Sequence, residues 1–559
     1  MTGDQTSAGA RLTALIDAYY KVWFRFHPEA AVDAGVSGYG HLLAPYAQEA
    51  AAALVCLNDE LMIALDEAGD RDISADAQLD ATILYDAARL ENEFLLDVEP
   101  NAPDPGRALP LNAIYQLLIR PTSAFPTELM SRLVAIPDHL LHAQDYYGAR
   151  AAVVPPTWIE SAVLSARAGI EFLDGLQSHP KVQENLWQLA DFSAVLNRAI
   201  DALRQYADFL AGAPTDAAAG NFACGSIRFQ HLLRRRHFIE AAPAQLREFG
   251  EILIRETKRE LLELCREISG SNDLVSLMRR IQADHPAADA LLSSYRMQMA
   301  AAREFVHSRG LVSIPAAARL EVVETPLFLR HQVPFAAYNE PSPNDAQQLG
   351  LYYVTPASSL EQLAEHNRAS IAQTCVHEAW PGHHLQFVTA NVSPLGRRLP
   401  RLLNASASLY EGWALYCEQL MFEQGFLASP EQRLMMLRDR LWRALRVVID
   451  VDIHTGGVSL EQAIDRMVAE LGFPREQAIA ELRWYSQSPT VPSCYAVGWA
   501  LINAARGCLH RQLPNLTLRE FHDLLLSQGS IGLPIVMRQV FGESVRKAAH
   551  DAVFAGKTA

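Results

Sequence analysis

Apolar side chains recur along this chain mostly at three- and four-residue intervals, the spacing that gathers them on one face of an α-helix. Over residues 11–26, Leu12, Leu15, Ile16, Tyr19, Tyr20 and Trp23 keep that register, and Pro28 stops the run. Residues 244–268 repeat it more clearly. Leu246, Phe249, Leu253, Leu261, Leu264 and Ile268 fall within about a third of the helix circumference, and Gly270 stands where a terminating glycine belongs. Segments 78–97, 126–150, 158–176, 194–212 and 285–309 have the same character. Between Leu311 and Pro356 the vocabulary changes. Leu320–Thr325, Pro334–Tyr338 and Leu351–Thr355 are short runs of β-branched and aromatic residues separated by prolines, which predicts a small sheet with an edge available to a cleft. Residues 340–350 carry the turn residues of a loop, and helices resume at about Ser359. No period of 20–50 residues repeats, which excludes a solenoid. The expected fold class is therefore mainly α with a small β-sheet near 311–356. It is organised either as an N-terminal helical region, 1–310, and a sheet-plus-helical catalytic region, 311–559, or as one continuous two-lobed domain, 1–559.

Composition narrows the function without changing the fold. The 559 residues are 50% hydrophobic and 20% charged, ordinary for a globular protein, with a formal net charge of -16 that disfavours nucleic acid as a partner. The seven cysteines, Cys56, Cys224, Cys265, Cys375, Cys417, Cys494 and Cys508, are scattered and form no Cys-x-x-Cys pair. A disulfide framework or thiolate zinc site is not expected, and a cytoplasmic location is. Met1–Ala10 lacks an apolar core and no run of 18 apolar residues occurs, so no membrane association is expected.

Chemistry concentrates in Ile371–Gln386, where three of the 18 histidines and a glutamate fall within eight residues, His377-Glu-Ala-Trp-Pro-Gly-His-His384. In the usual His-Glu-x-x-His arrangement, histidines at i and i+4 share a helix face and one zinc ion, and the glutamate takes a proton from the catalytic water. Here i+4 is Pro381. In a continuous helix His384 would return to within about 20° of His377, but roughly 10.5 Å along the axis, too far to share a metal comfortably. Alternatively, Pro381-Gly382 loops out and His383 takes the i+4 role. The interrupted helix is the favoured expectation, with His383 and His384 both kept as candidate ligands; the competing reading is a histidine cluster without metal. The third ligand should be an acid on a following helix. Glu411 lies 34 residues after His377 in an apolar helical segment, Leu409–Phe426, where a carboxylate is costly to bury unless it is paired or ligates a metal. Glu418, one heptad on, either orients a ligating histidine or sits in an outward salt bridge. Tyr495 and His454 are candidate catalytic donors to a developing oxyanion, each with a packing role as its alternative. Tyr338 and Asn339, at the end of an expected strand, are candidate contacts to substrate backbone.

The pair His377-Glu-Ala-Trp-Pro-Gly-His-His384 and Glu411-Gly-Trp-Ala-Leu-Tyr-Cys-Glu418 resembles the uncharacterised bacterial family DUF885. Phe26–Gly35, Asp452-Ile-His454 and Pro489–Gly498 resemble its other signatures, so that the likeness spans almost the whole chain. The resemblance implies a large, two-lobed helical fold with a deep cleft, similar to the M32 carboxypeptidases and related gluzincin peptidases. It also implies Glu378 as general base and Glu411 as third ligand. Tyr495 matches the tyrosine of a Pro-Gly-Gln-Ala-x-x-Tyr stretch, which reads here Pro489-Thr-Val-Pro-Ser-Cys-Tyr495, without the Gly-Gln-Ala. The expected function is that of a zinc-dependent hydrolase with one zinc ion, an exopeptidase acting on short peptides. The competing functions are a non-catalytic peptide-binding protein and a metal hydrolase of a non-peptide amide or ester.

Overall fold

A computed structural model of the chain describes residues 7–69, 73–96, 104–120, 122, 124–150, 153–186, 191–213, 221–326, 330, 333 and 335–555. Residues 1–6 and 97, and Pro334 at the start of the second expected strand, lie outside them. The chain divides into two compact units. One comprises Met1–Cys224 with Leu327–His331 and Ser342–Asn344; the other comprises Gly225–Pro326, Gln332–Pro341 and Asp345–Ala559. The division falls at Cys224–Gly225 rather than near residue 310, because helix Leu291–Arg309 packs against the first strand of the sheet and helix Arg368–Glu378, which follow it.

The first unit is built from the amphipathic segments read in the sequence. Helices Phe125–Gly148, Pro156–Gly175 and Phe192–Ala211 carry Leu133, Ile136, Ala166, Phe172, Leu196 and Leu203 into one core, all essentially without solvent contact. Their periodicity is legible because each helix buries one stripe and wets the other.

In the second unit, helix Pro243–Ser269 ends at Gly270, whose φ of +70° is the left-handed conformation expected of a C-terminal glycine. It packs along the longest of the later helices, Pro430–Thr455, with Gly250 set against Val447 and Val448. Among the described residues the sheet has three strands, β1 (Arg319–Glu324), β2 (Ala336–Asn339) and β3 (Leu349–Val354), in the order β1-β3-β2. β1 runs parallel to the central β3 and β2 antiparallel to it, with Tyr338 opposite Tyr352. Both β1 and β2 are therefore edges. Helix Ala407–Glu423 crosses Val491–Gln512 at a glycine pair: a Cβ added to Gly412 would lie 2.5 Å from the Cα of Gly498. The seven cysteines are free thiols, six of them buried. No helix among the described residues is long and apolar enough to cross a membrane.

Candidate metal centre

The His-Glu segment forms two short helices rather than one bulged helix. Arg368–Glu378 stops at Ala379, and His383–Val392 begins after Trp380-Pro381-Gly382. The break is closed by backbone bonds. Trp380 donates to the Cys375 carbonyl, 3.2 Å, and Gly382 to that of Val376, 3.0 Å. The Trp413 indole, from the Glu411 helix, donates to the Pro381 carbonyl at 2.8 Å and pins the loop. Only glycine fits at position 382, because a Cβ there would sit 1.8 Å from the His377 carbonyl oxygen. The interruption turns His383, not His384, toward His377: the two rings stand 4.9 Å apart, nearly perpendicular.

Glu411 completes the group. Its Oε2 lies 3.8 Å from His377 Nε2 and 3.4 Å from His383 Nε2, and the three ligand atoms fall within 4.8 Å of one another. A tetrahedral zinc site with bonds near 2.0–2.1 Å has ligand-to-ligand edges of roughly 3.3–3.5 Å, a size that the two carboxylate-to-histidine edges approach. Glu411 Oε2 is also buried without a hydrogen-bond partner, an acceptor aimed at the position a cation would fill. Burial opposes ionisation of Glu411, but His383, His377 and the Tyr495 hydroxyl outweigh it and hold the carboxyl down at about 2. The same attraction overcomes burial at His383 and raises its pKa. The residues present thus fit a divalent metal.

Glu418 is 1% exposed and faces inward. Its Oε1 accepts from His377 Nδ1 at 2.6 Å, and its Oε2 accepts from Gln373 Nε2, also at 2.6 Å. Gln373 reaches on to Asp439, 3.0 Å away. A carboxylate on Nδ1 keeps the proton there and leaves Nε2 free to ligate. Gln373, one turn before His377 on the same helix, was not singled out by the sequence, although that spacing could have suggested it.

His384 turns away from the triad. Its Nδ1 shares a 3.0 Å hydrogen bond with the Tyr338 hydroxyl, and its ring packs edge-on against Trp380. Burial and Arg303 lower its pKa to about 3, so that it is a neutral imidazole at physiological pH. β2 thereby places Tyr338 next to the second of the two short helices, whereas no described interaction joins Asn339 to the triad. Glu378, the last residue of its helix, is half-buried, and its charge acts on His383. Glu340, just past β2, acts on His383 too and was missed by the sequence reading.

Tyr495, on helix Val491–Gln512, brings its hydroxyl to Glu411, and burial together with that carboxylate raises its pKa well above the usual range. The buried Arg446 guanidinium lies 4.7 Å over the Tyr495 ring while bonding the Tyr485 hydroxyl and Glu481, which fixes the ring. His454 is not brought to the triad. It lies one turn after Asp450, and its Nε2 meets the Tyr485 carbonyl at 3.0 Å. Asp450 itself accepts from the Thr490 amide and the Ser493 hydroxyl. Thr490 has φ of +72° and stands where the resembling stretch carries glycine. That strain is offset by the Asp450 bond and by His237, whose Nε2 meets Thr490 Oγ1 at 3.0 Å and whose Nδ1 meets Ser406 Oγ at 2.8 Å. Ser406 caps the Glu411 helix. His237 thus ties the loop before Tyr495 to the start of the helix that carries Glu411, a link between residues 169 and more positions apart that no sequence spacing reveals.

Comparison with known proteins bears on the fold alone. Two solved structures share the fold: one described as "a putative lipoprotein of unknown function" from Shewanella oneidensis, the other as "the putative lipoprotein" from Colwellia psychrerythraea. The first is 21% identical with a TM-score of 0.78, covering 95% of this chain and 100% of its own. The second is 19% identical with a TM-score of 0.79, covering 96% and 99%. No protein of curated function matches. Residues 28–540 match the family described as bacterial protein of unknown function, DUF885, and since that span is most of the molecule, the chain belongs to the DUF885 family.

Proposed function

We propose that this protein is a zinc-dependent hydrolase, a metallopeptidase that trims short peptides as an exopeptidase of the M32 carboxypeptidase-like, gluzincin type. The observation that carries the proposal is the convergence of His377, His383 and Glu411 within 4.8 Å, with a buried carboxylate oxygen left unbonded among them. Such a group is costly to maintain unless a cation completes it. Zinc held by these three side chains would act as a Lewis acid and lower the pKa of a water.

The chain's own residues do the rest. Glu378 takes the proton of the attacking water and hands it to the leaving amine. The Tyr495 hydroxyl, held by Arg446, donates to the carbonyl oxygen as charge develops on it. Tyr338, steadied by His384, and Asn339 at the end of β2 contact the substrate backbone from the sheet edge. Free cysteines favour a reducing compartment, and we assign the protein to the cytoplasm, with a short peptide, neither nucleic acid nor membrane, as its partner.

The test is zinc content per chain, followed by digestion of a mixed peptide library by the parent and by Glu378→Gln. Stoichiometric zinc in both, with trimming by the parent alone, is expected. Zinc in both with equal inertness would favour a binding role, and cleavage of esters alone a non-peptide hydrolase. Chains that hold no zinc and stay inert after zinc addition would sink the proposal.

A further inference from the structure

A second concave site lies in the same unit, between helix Leu291–Arg309 and the outer edge of β1. It is a pocket of about 580 Å³ floored by Met299, Leu320 and the indole of Trp380, and three arginines surround it: Arg296, Arg303 and Arg319. Arg296 and Arg303 are two helical turns apart and so share a face, while Arg319 opens β1. Nothing in the zinc chemistry uses this pocket.

How these arginines are held is unusual. None forms an ion pair with a carboxylate among the described residues. Each is steadied by a neutral partner. Arg296 Nε donates to the Val322 carbonyl at 3.0 Å. The Arg303 guanidinium lies 5.4 Å over the Trp380 ring. Arg319 Nη1 donates to the carbonyls of Ala316 and Ala318 at 3.1 and 3.2 Å. Among the described residues Glu321 is the one acidic residue lining the pocket, so three positive charges face a single negative one. In a chain of formal net charge -16 that is a local reversal of sign. The strand adds donors of its own. Arg319 N bonds the carbonyl of Gln348, just before β3, and Thr325 N that of Val354 at its end; alternate residues of a parallel strand face its partner, so Leu320 and Val322 turn their amides outward. Guanidinium forks already positioned by neutral groups, beside outward amides and an apolar floor, make a receptor for oxyanions.

We propose that this pocket binds a small polyanion bearing two or more carboxylate or phosphate groups, with Arg296 and Arg303 as its principal ligands. Because Arg303 rests on Trp380, and Trp380 packs on His384, the bound anion touches the outer side of the loop that sets the metal ligands.

The experiment is calorimetric titration of the full-length chain at low ionic strength with pyrophosphate and with tricarballylate, which separate phosphate from carboxylate ligands. The parent, the double variant Arg296→Gln/Arg303→Gln and the metal-site variant His383→Ala are compared. Saturable binding of one equivalent of either anion is expected, weakened at least about tenfold in the double variant, retained in His383→Ala, and diminishing as salt rises. All three arginines are exposed, so the double variant should melt with the parent. Arg303→Lys, which keeps the charge and loses the fork, should show a smaller loss of affinity. No saturable binding of either anion, or binding lost in His383→Ala and kept in the double variant, would overturn the assignment. Neither readout depends on hydrolytic activity, so the peptidase proposal can fail without touching this one.

Discussion

Replacing Glu418 by glutamine isolates the contribution of one buried charge to the proposed metal centre. The carboxylate is 1% exposed and accepts two hydrogen bonds of 2.6 Å, from His377 Nδ1 and from Gln373 Nε2. Glutamine is nearly isosteric but presents one acceptor and one donor. Whichever way its amide sits, a donor faces another donor, at His377 or at Gln373. Facing His377, the amide drives the imidazole proton to Nε2, the atom needed for the metal. Facing Gln373, it keeps the His377 bond but loses its charge assistance. A charge-assisted hydrogen bond contributes about 1.5–3 kcal/mol, which corresponds to roughly tenfold to hundredfold in zinc affinity. Competition with a chromophoric chelator at neutral pH measures that ratio directly. A Glu418→Gln chain that binds zinc within about twofold of the parent would refute the reasoning, because His377 would then not ligate through an Nε2 held free by Glu418.

Three other consequences are open to measurement. If the protein is the hydrolase proposed above, Tyr495→Phe should lower kcat by about a hundredfold to a thousandfold with zinc content unchanged, the effect of losing one oxyanion donor. Gly412→Ala places a Cβ 2.5 Å from Gly498 Cα and should lower unfolding free energy by about 1–3 kcal/mol in urea, since both atoms belong to packed helix backbone. Burial raises the Asp450 pKa to about 7, despite its bonds from Ser493 and Thr490. The folded chain therefore binds that proton more tightly than the unfolded chain, whose Asp titrates near 3.9. Asp450 lends stability fully below about pH 4 and withdraws it as pH rises through about 7, a change on the order of 4 kcal/mol. Asp450→Asn should flatten the stability profile between about pH 4 and 7, and an unchanged slope would count against a buried, proton-binding Asp450.

What the sequence determined by itself is what local periodicity and short-range spacing encode. The helices of the first unit were legible because each buries one stripe, as Leu133 and Ile136 or Leu196 and Leu203 do. Gly270 marked a helix end for its conformational freedom. His377, Glu378, the His383–His384 pair, Glu411 and Glu418 stood out because buried ionisable groups are rare in apolar helices. Sequence left the choice between the two histidines open, since a Pro-Gly interruption permits more than one path. Tertiary structure decided it: the Trp413 indole fastens Pro381, and the space at Gly382 excludes any side chain, which turns His383 to the triad and His384 to Tyr338. The boundary read near 310 marks where composition changes and the sheet begins, whereas the compact units are defined by which helices pack together, and no composition signal marks Cys224–Gly225. His454 illustrates the same limit. Its motif-like setting in Asp452-Ile-His454 resembles a catalytic position, yet helix Pro430–Thr455 aims it at the Tyr485 carbonyl. The ties that order the centre, His237 to Ser406 and Thr490, Arg446 to Tyr485 and Tyr495, and Asp450 to Ser493, join residues far apart in the chain. Spacing along a polymer carries no information about such contacts; they exist only once the helices have packed.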